Sequence, residues 1–159
     1  MSALDAKAFW ADLRDHPSVR FGVTVELMAK VARGQVYLAT PYTRLAAPAG
    51  VYDPARAEDA AALAAQWQRW LAMRGVTAVS PIVQSQAVTR DVRSWKGGAA
   101  AASLALDAAF WTRWCSPMLD ASSAIYVPDI AGWRDSDGIR HEVSSFVARP
   151  RPVYVAGWP

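Results

Sequence analysis

The apolar positions of this 159-residue chain change their period along the sequence, and each change marks an element. Leu4, Ala8, Phe9 and Leu13 recur at helical spacing and predict a short amphipathic helix over residues 4–16, ended by His16-Pro17-Ser18. Val25, Leu27, Met28 and Val31 predict a second helix over residues 22–33. Together they read as an N-terminal helical extension, residues 1–33, packed on the main body or on a second subunit. From residue 34 short apolar runs alternate with long helical patterns. Gln35–Thr40 is a buried strand stopped by Pro41, and a loop runs from Pro41 to Tyr52. Asp53-Pro54 is an N-cap followed by proline at the first helical position, and Ala60, Leu63, Ala64, Trp67, Trp70 and Leu71 continue a helix to Gly75.

Val76–Ile82 reads as the second strand of this region, and residues 84–98 as a long polar loop ending in Lys96-Gly97-Gly98. A helix over Ala99–Trp114 follows, then a strand at Ala124–Pro128 and a loop through Gly132-Trp133. Ser136 caps a helix reaching Ala148, and Pro152–Ala156 is the last strand. Strands alternating with helices imply parallel pairing with right-handed crossovers. The expected fold is therefore α/β: a flavodoxin- or Rossmann-like three-layer domain over residues 34–159 with four to five parallel strands, plus the helical extension. Such sheets bind ligands beyond the carboxyl ends of their strands. Here those ends are Thr40-Pro41-Tyr42, Ser80-Pro81 and the stretch from Pro128 to Ser136.

Composition narrows the function without naming it. Hydrophobic residues make up 53% and charged residues 19%, a globular balance, and eight tryptophans supply large rings with a polar N–H. The net charge of +3 comes from arginines scattered along the chain rather than from a basic run, which argues against a nucleic-acid polymer and suits a small anionic ligand. Cys115 stands alone, so no intrachain disulfide forms, and with only His16 and His141 no metal-ligand spacing arises. No metal or cofactor is expected. The first twenty residues carry Asp5, Asp12 and Asp15 and lack the apolar stretch of a signal peptide, and no segment has the pattern of a membrane span. A cytoplasmic protein without membrane contact is the expectation.

The densest candidate chemistry lies between Gly132 and Glu142. Ser136 can accept a backbone N–H at the helix start, Asp137 suits the positive end of the helix dipole, and Gly138 lets a ligand approach the backbone. The same residues also describe an ordinary capped helix. Glu142 falls at the border of the apolar face made with Ile139, Val143 and Phe146; a carboxyl there is either a partly desolvated acid, base or nucleophile, or a boundary group paired with Arg140 or Arg149. Tyr37 sits near the end of its strand, from which its hydroxyl can reach the sheet edge, and Trp133 offers a ring for stacking on a base or sugar. His141 points about 100° away from Glu142 on the helix and is a poor partner for it.

In combination, Tyr37-Leu-Ala-Thr-Pro-Tyr42, the strand and loop Ala124–Trp133, and Ser136-x-Gly138-x-x-x-Glu142 resemble the nucleoside 2-deoxyribosyltransferase-like superfamily, over about Gln35 to Ala156. That group includes deoxyribosyltransferases, deoxynucleoside 5′-monophosphate N-glycosidases and small uncharacterised bacterial and phage families, the last being nearest. The resemblance implies Glu142 as nucleophile, attacking the anomeric carbon as in retaining glycosidases, with Tyr37 helping to position it. It implies a substrate site including Ser136, Gly138, Trp133, Pro41, Tyr42, Ser80 and Asp120, and a homodimer or larger homo-oligomer. Ser136, where the nucleoside transferases tend to carry Asp, leans toward a 5′-phosphate. One position departs from the pattern: Cys115 stands where characterised members carry an Asp that handles the leaving base, with Asp120 nearby but out of register. The expected function is an N-glycosidase acting on a (deoxy)nucleoside 5′-monophosphate or nucleoside. The alternatives are a non-catalytic nucleotide-binding module and a transferase passing deoxyribose between bases.

Overall fold

The computed structural model describes residues 3–89 and 104–158 of the chain. Five short strands, β1 (Val19–Phe21), β2 (Val36–Leu38), β3 (Ala78–Val79), β4 (Ala124–Val127) and β5 (Val153–Val155), form one sheet in the order β1-β5-β4-β2-β3, with every pair parallel. The α/β three-layer architecture expected from the alternation of elements is the one observed. Around the sheet lie α1 (Ala3–Asp12), α2 (Val25–Val31), the single turn α3 (Thr43–Ala46), α4 (Pro54–Ala72), α5 (Pro81–Thr89), α6 (Ala108–Ala121) and α7 (Asp137–Val147).

Side-chain alternation along the strands builds two cores. Tyr37, Ile125, Val127, Val153 and Val155 point to one face, where they meet Trp10 and Leu13, Leu119 of α6, and Ile139, Val143 and Phe146 of α7. Val36, Leu38, Tyr126 and Tyr154 point to the other and meet Met28 of α2 and Leu71 of α4. Burial on both faces explains why β2, β4 and β5 read as unbroken apolar runs. The long crossover α4 starts as its sequence dictates: Asp53 accepts from the amide of Ala55 at 2.9 Å, and Pro54 occupies the first turn, where its missing N–H costs nothing.

The structure departs from the sequence-based expectations at three places. The helix expected over residues 22–33 is shorter, and just before it Val19–Phe21 forms β1, with Val19 opposite Val153 and Phe21 opposite Val155. The N-terminal segment thus contributes the fifth strand. Three residues followed by Gly22, whose φ is +70°, are too few to produce a readable period. The strand expected over 76–82 is only Ala78–Val79, because the Ser80 hydroxyl accepts from the amide of Val83 and Pro81 opens α5 where a polar loop was expected from residue 84. The rest of that loop, and the start of the helix expected from Ala99, fall in residues 90–103, outside the described residues. The helix itself, as α6, begins after the Asp107 cap and runs past Trp114 to Ala121 with Pro117 inside it. Pro117 is exposed, so water can satisfy the carbonyl its missing N–H leaves free.

Trp10 is the largest side chain that α1 buries, beside Ala6 and the partly buried Phe9. Trp10 is 1% exposed, packs edge-on against Trp133 with ring centroids 4.7 Å apart, and donates its indole N–H to the carbonyl of Arg134 at 2.9 Å. Replacing it by alanine removes a ring from the core and one of the two hydrogen bonds that carbonyl accepts, the other coming from Arg140. Trp10→Ala is expected to cost about 3–5 kcal/mol in urea unfolding, the range for large aromatic truncations. A loss below about 1 kcal/mol would mean that α1 is a detachable appendage.

Candidate functional site

The chain leaves β2 toward β3 on one side and reaches β4 on the other, so the direction of winding reverses between β2 and β4. At such a switch point the loops part and leave a crevice beyond the carboxyl ends of the strands. A cavity of about 450 Å³ occupies that position, walled by the segment after β2, the start of α5, one side of α6 and the first turns of α7.

Glu142 stands in its wall. Ser136 caps α7 by accepting from the amide of Ile139, and the helical repeat then turns Gly138, His141, Glu142 and Ser145 to the cavity while Ile139, Val143 and Phe146 hold the helix on the sheet. The two arginines considered as partners for Glu142 are engaged elsewhere. Arg140 is buried, donates to the carbonyl of Arg134 at 2.9 Å and pairs with Asp137; Arg149 pairs with Asp120. The partner of Glu142 is Tyr37, whose hydroxyl donates to Oε1 at 2.6 Å from the middle of the fully buried β2.

The electrostatics follow from that enclosure. Burial pushes the Glu142 carboxyl up to about 7, against the pull of the Tyr37 hydrogen bond, which favours the charged form. Tyr37 is pushed well above the ordinary phenol value by burial, then by the charge of Glu142 and by Cys115, so it stays protonated and remains a donor. Cys115, on α6, is within interaction range of both. Its thiol is raised to about 11 by burial and by Glu142, so at neutral pH it is a thiol and not a thiolate. The cluster therefore carries at most one negative charge, on Glu142, and near neutrality that carboxyl exchanges its proton.

Most of the residues singled out in the sequence converge here. Pro41, Tyr42, Ser136, Gly138, Asp120 and Glu142 line the cavity, and Tyr37 backs it through its bond to Glu142. Burial and the neighbouring Tyr52 hold the Tyr42 phenol far above its usual range. Gly138 leaves open space, since an added Cβ would meet only Ser136 Oγ, at 3.9 Å. Asp120 sits at the rim in its ion pair with Arg149.

Two expectations need correction. Trp133 does not line the cavity: it is 1% exposed, wedged against Trp10, with its indole N–H donating to Asp129 Oδ1 at 3.0 Å. The positive φ of Gly132, +86°, turns the chain just before it, and Trp133 anchors the loop that delivers Ser136. Ser80 is fully buried and spends its hydroxyl capping α5. Sequence reasoning missed Arg44 and Arg149 as cavity residues, named Thr40 only as part of a strand end, and read Cys115 only as a departure. No motif marks the two arginines; their place follows from the turn that the chain takes after β2 and after α7.

The chain belongs to the family described as Domain of unknown function (DUF1937), whose profile matches residues 34–157. No curated protein matches the chain at a significant level. The matched stretch runs from just before β2 to just beyond β5 and includes Tyr37, Cys115 and Glu142.

Two measurements test this electrostatic description. Tyr37→Phe removes the donor that favours the carboxylate, so Glu142 is expected to titrate higher still, read by carboxyl carbon NMR against pH. An unchanged or lower value would break the assigned pairing. The folded-state value of Glu142, about 7, lies above its unfolded value. The stability this contributes is therefore complete below about pH 4.3, the ordinary glutamate value, and is lost as pH rises through about 7. Glu142→Gln should remove that part of the pH dependence of the urea midpoint.

Proposed function

We propose that this member of the family is an N-glycosidase that cleaves the base–sugar bond of a (deoxy)nucleoside 5′-monophosphate or nucleoside, with Glu142 as nucleophile. The observation that carries the proposal is the 2.6 Å hydrogen bond from Tyr37 to Glu142 at the wall of the switch-point cavity. It joins the two residues that the resemblance to the nucleoside 2-deoxyribosyltransferase-like superfamily marks for nucleophile and positioning. Further support comes from the open approach at Gly138 and from Arg44 and His141 at the cavity wall, which suit an anionic group.

In this mechanism one carboxylate oxygen of Glu142 attacks the anomeric carbon as the C–N bond to the base breaks. The bonding pair leaves with the base nitrogen, which takes a proton, and the oxocarbenium-like transition state collapses to a glycosyl ester on Glu142. Water then adds to the same carbon, gives up a proton and frees the carboxylate. Tyr37 holds one oxygen of Glu142 throughout, fixing the other toward the sugar. The base must draw its proton from water at the mouth, because Asp120 at the rim is held in its ion pair with Arg149 and a thiol raised to about 11 is a reluctant donor. That position of Cys115 is also the observation favouring a second reading, a nucleotide-binding module without turnover.

Base release from a panel of deoxynucleoside 5′-monophosphates and nucleosides, followed by chromatography, tests the proposal. Glu142→Ala is expected to abolish release, by at least about a thousandfold if the covalent route carries it. The nucleophile works ionised and titrates at about 7, so kcat/KM should rise with pH through that value and fall away in acid. Saturable binding without release would support the binding module. Absence of both with every nucleotide would end the nucleotide assignment.

A further inference from the structure

α6 turns one side to the cavity, and the side-chain N–H and O–H donors on that side are already spent. Trp111 gives its indole N–H to the carbonyl of Leu104 at 2.8 Å. The Thr112 hydroxyl donates to the carbonyl of Ala108 at 2.8 Å, and the Ser116 hydroxyl to that of Thr112 at 2.7 Å, each reaching one turn back along the helix. Thr112 and Ser116 are exposed and border the cavity. With its proton turned into the helix, each hydroxyl offers the cavity lone pairs only. Between them Cys115 adds no more than a weak thiol donor. One turn further on, Asp120 is also an acceptor and is taken by Arg149. The cations of the cavity lie on other segments: Arg44 after β2, His141 on α7 and Arg149 beyond it. The α6 wall is an accepting surface, and a ligand that packs on it must bring the hydrogens.

We propose that Thr112 and Ser116 select the base, and that the base they select turns an exocyclic amino group, not an oxo group, toward α6. This rests on the glycosidase assignment, which puts a nucleotide or nucleoside in the cavity. The base is bonded to the carbon that Glu142 attacks, so it lies close to that carboxyl. Cys115, midway between the two hydroxyls in sequence, is itself within interaction range of Glu142. Arg44 and His141 suit the anionic end of the substrate, which leaves the α6 wall for the base. Residues four apart on a helix hold their Cβ atoms about 5–6 Å apart. An amino group has two hydrogens, and with N–H···O bonds of about 2.9 Å it reaches two acceptors about 5 Å apart. One amino group thus matches both hydroxyl oxygens, whereas an oxo group would set lone pairs against lone pairs.

Substrate pairs that differ in this one group supply the test: deoxycytidine against deoxyuridine 5′-monophosphate, and deoxyadenosine against deoxyinosine 5′-monophosphate. Base release is measured for wild type, for Thr112→Ser and for the double variant Thr112→Val with Ser116→Ala. Wild type is expected to favour the amino member of at least one pair by about tenfold in kcat/KM, as two net hydrogen bonds would give. Thr112→Ser keeps the accepting oxygen and should keep the preference. The double variant should bring it below about threefold by losing rate on the amino member. A purely structural role would lower both members of a pair alike. A wild type that favours the amino member of neither pair overturns the proposal and leaves the glycosidase assignment standing. So does a double variant that keeps the preference or loses rate on both members equally. Where nucleotides bind without release, dissociation constants from titration calorimetry decide by the same comparison. A wild type that neither binds nor cleaves any nucleotide ends the glycosidase assignment itself, and this inference falls with it.

Discussion

A carboxyl group held inside a protein needs a donor, and the hydrogen bond from Tyr37 to Glu142 supplies it. That bond ties the sheet to α7 at the place where the winding of the sheet reverses. On one side it requires a tyrosine in a fully buried strand, which fixes the register of β2 against β4. On the other it requires that α7 present Glu142 to the cavity and keep its neighbours Val143 and Phe146 in the core. The pairings of Arg140 with Asp137 and of Arg149 with Asp120 serve the same end, since they keep two nearby cations from pairing with Glu142. A glutamate beside a free guanidinium would ionise at low pH; enclosed with a phenol and a thiol, it keeps its proton to near neutrality.

The alternation of strands and helices after residue 34 was legible because β2, β4 and β5 are buried on both faces and read as continuous apolar runs, while α4 and α7 carry clear caps. β1 was not legible, because Val19-Arg20-Phe21 is too short to show a period and draws its stability from β5, far along the chain. α5 was hidden by its own polar sequence; its start depends on Ser80 and Pro81, which were read as the end of a strand. Both cases are tertiary context deciding what local pattern left open.

The candidate site was legible in part for related reasons. Glu142 and Tyr37 were paired only through the family resemblance; position at a helix border left Glu142 equally open to Arg140 or Arg149. Trp133 could not be placed, because a tryptophan after a glycine serves equally as a ligand platform or as a loop anchor, and the choice was made by Trp10 from a distant helix. Cys115 was visible only as a departure, yet α6 carries it into range of both Tyr37 and Glu142.

The parallel pairing of β1 with β5 also has a temporal side. Val19 is made early and Val153 late, so on the ribosome β1 has no partner strand until nearly all of the described chain has been synthesised. Contacts so distant in sequence are slow to form, and until they do the side of β5 that faces β1 stays unpaired. The first strand of this sheet thus waits for the last to be made before it can pair.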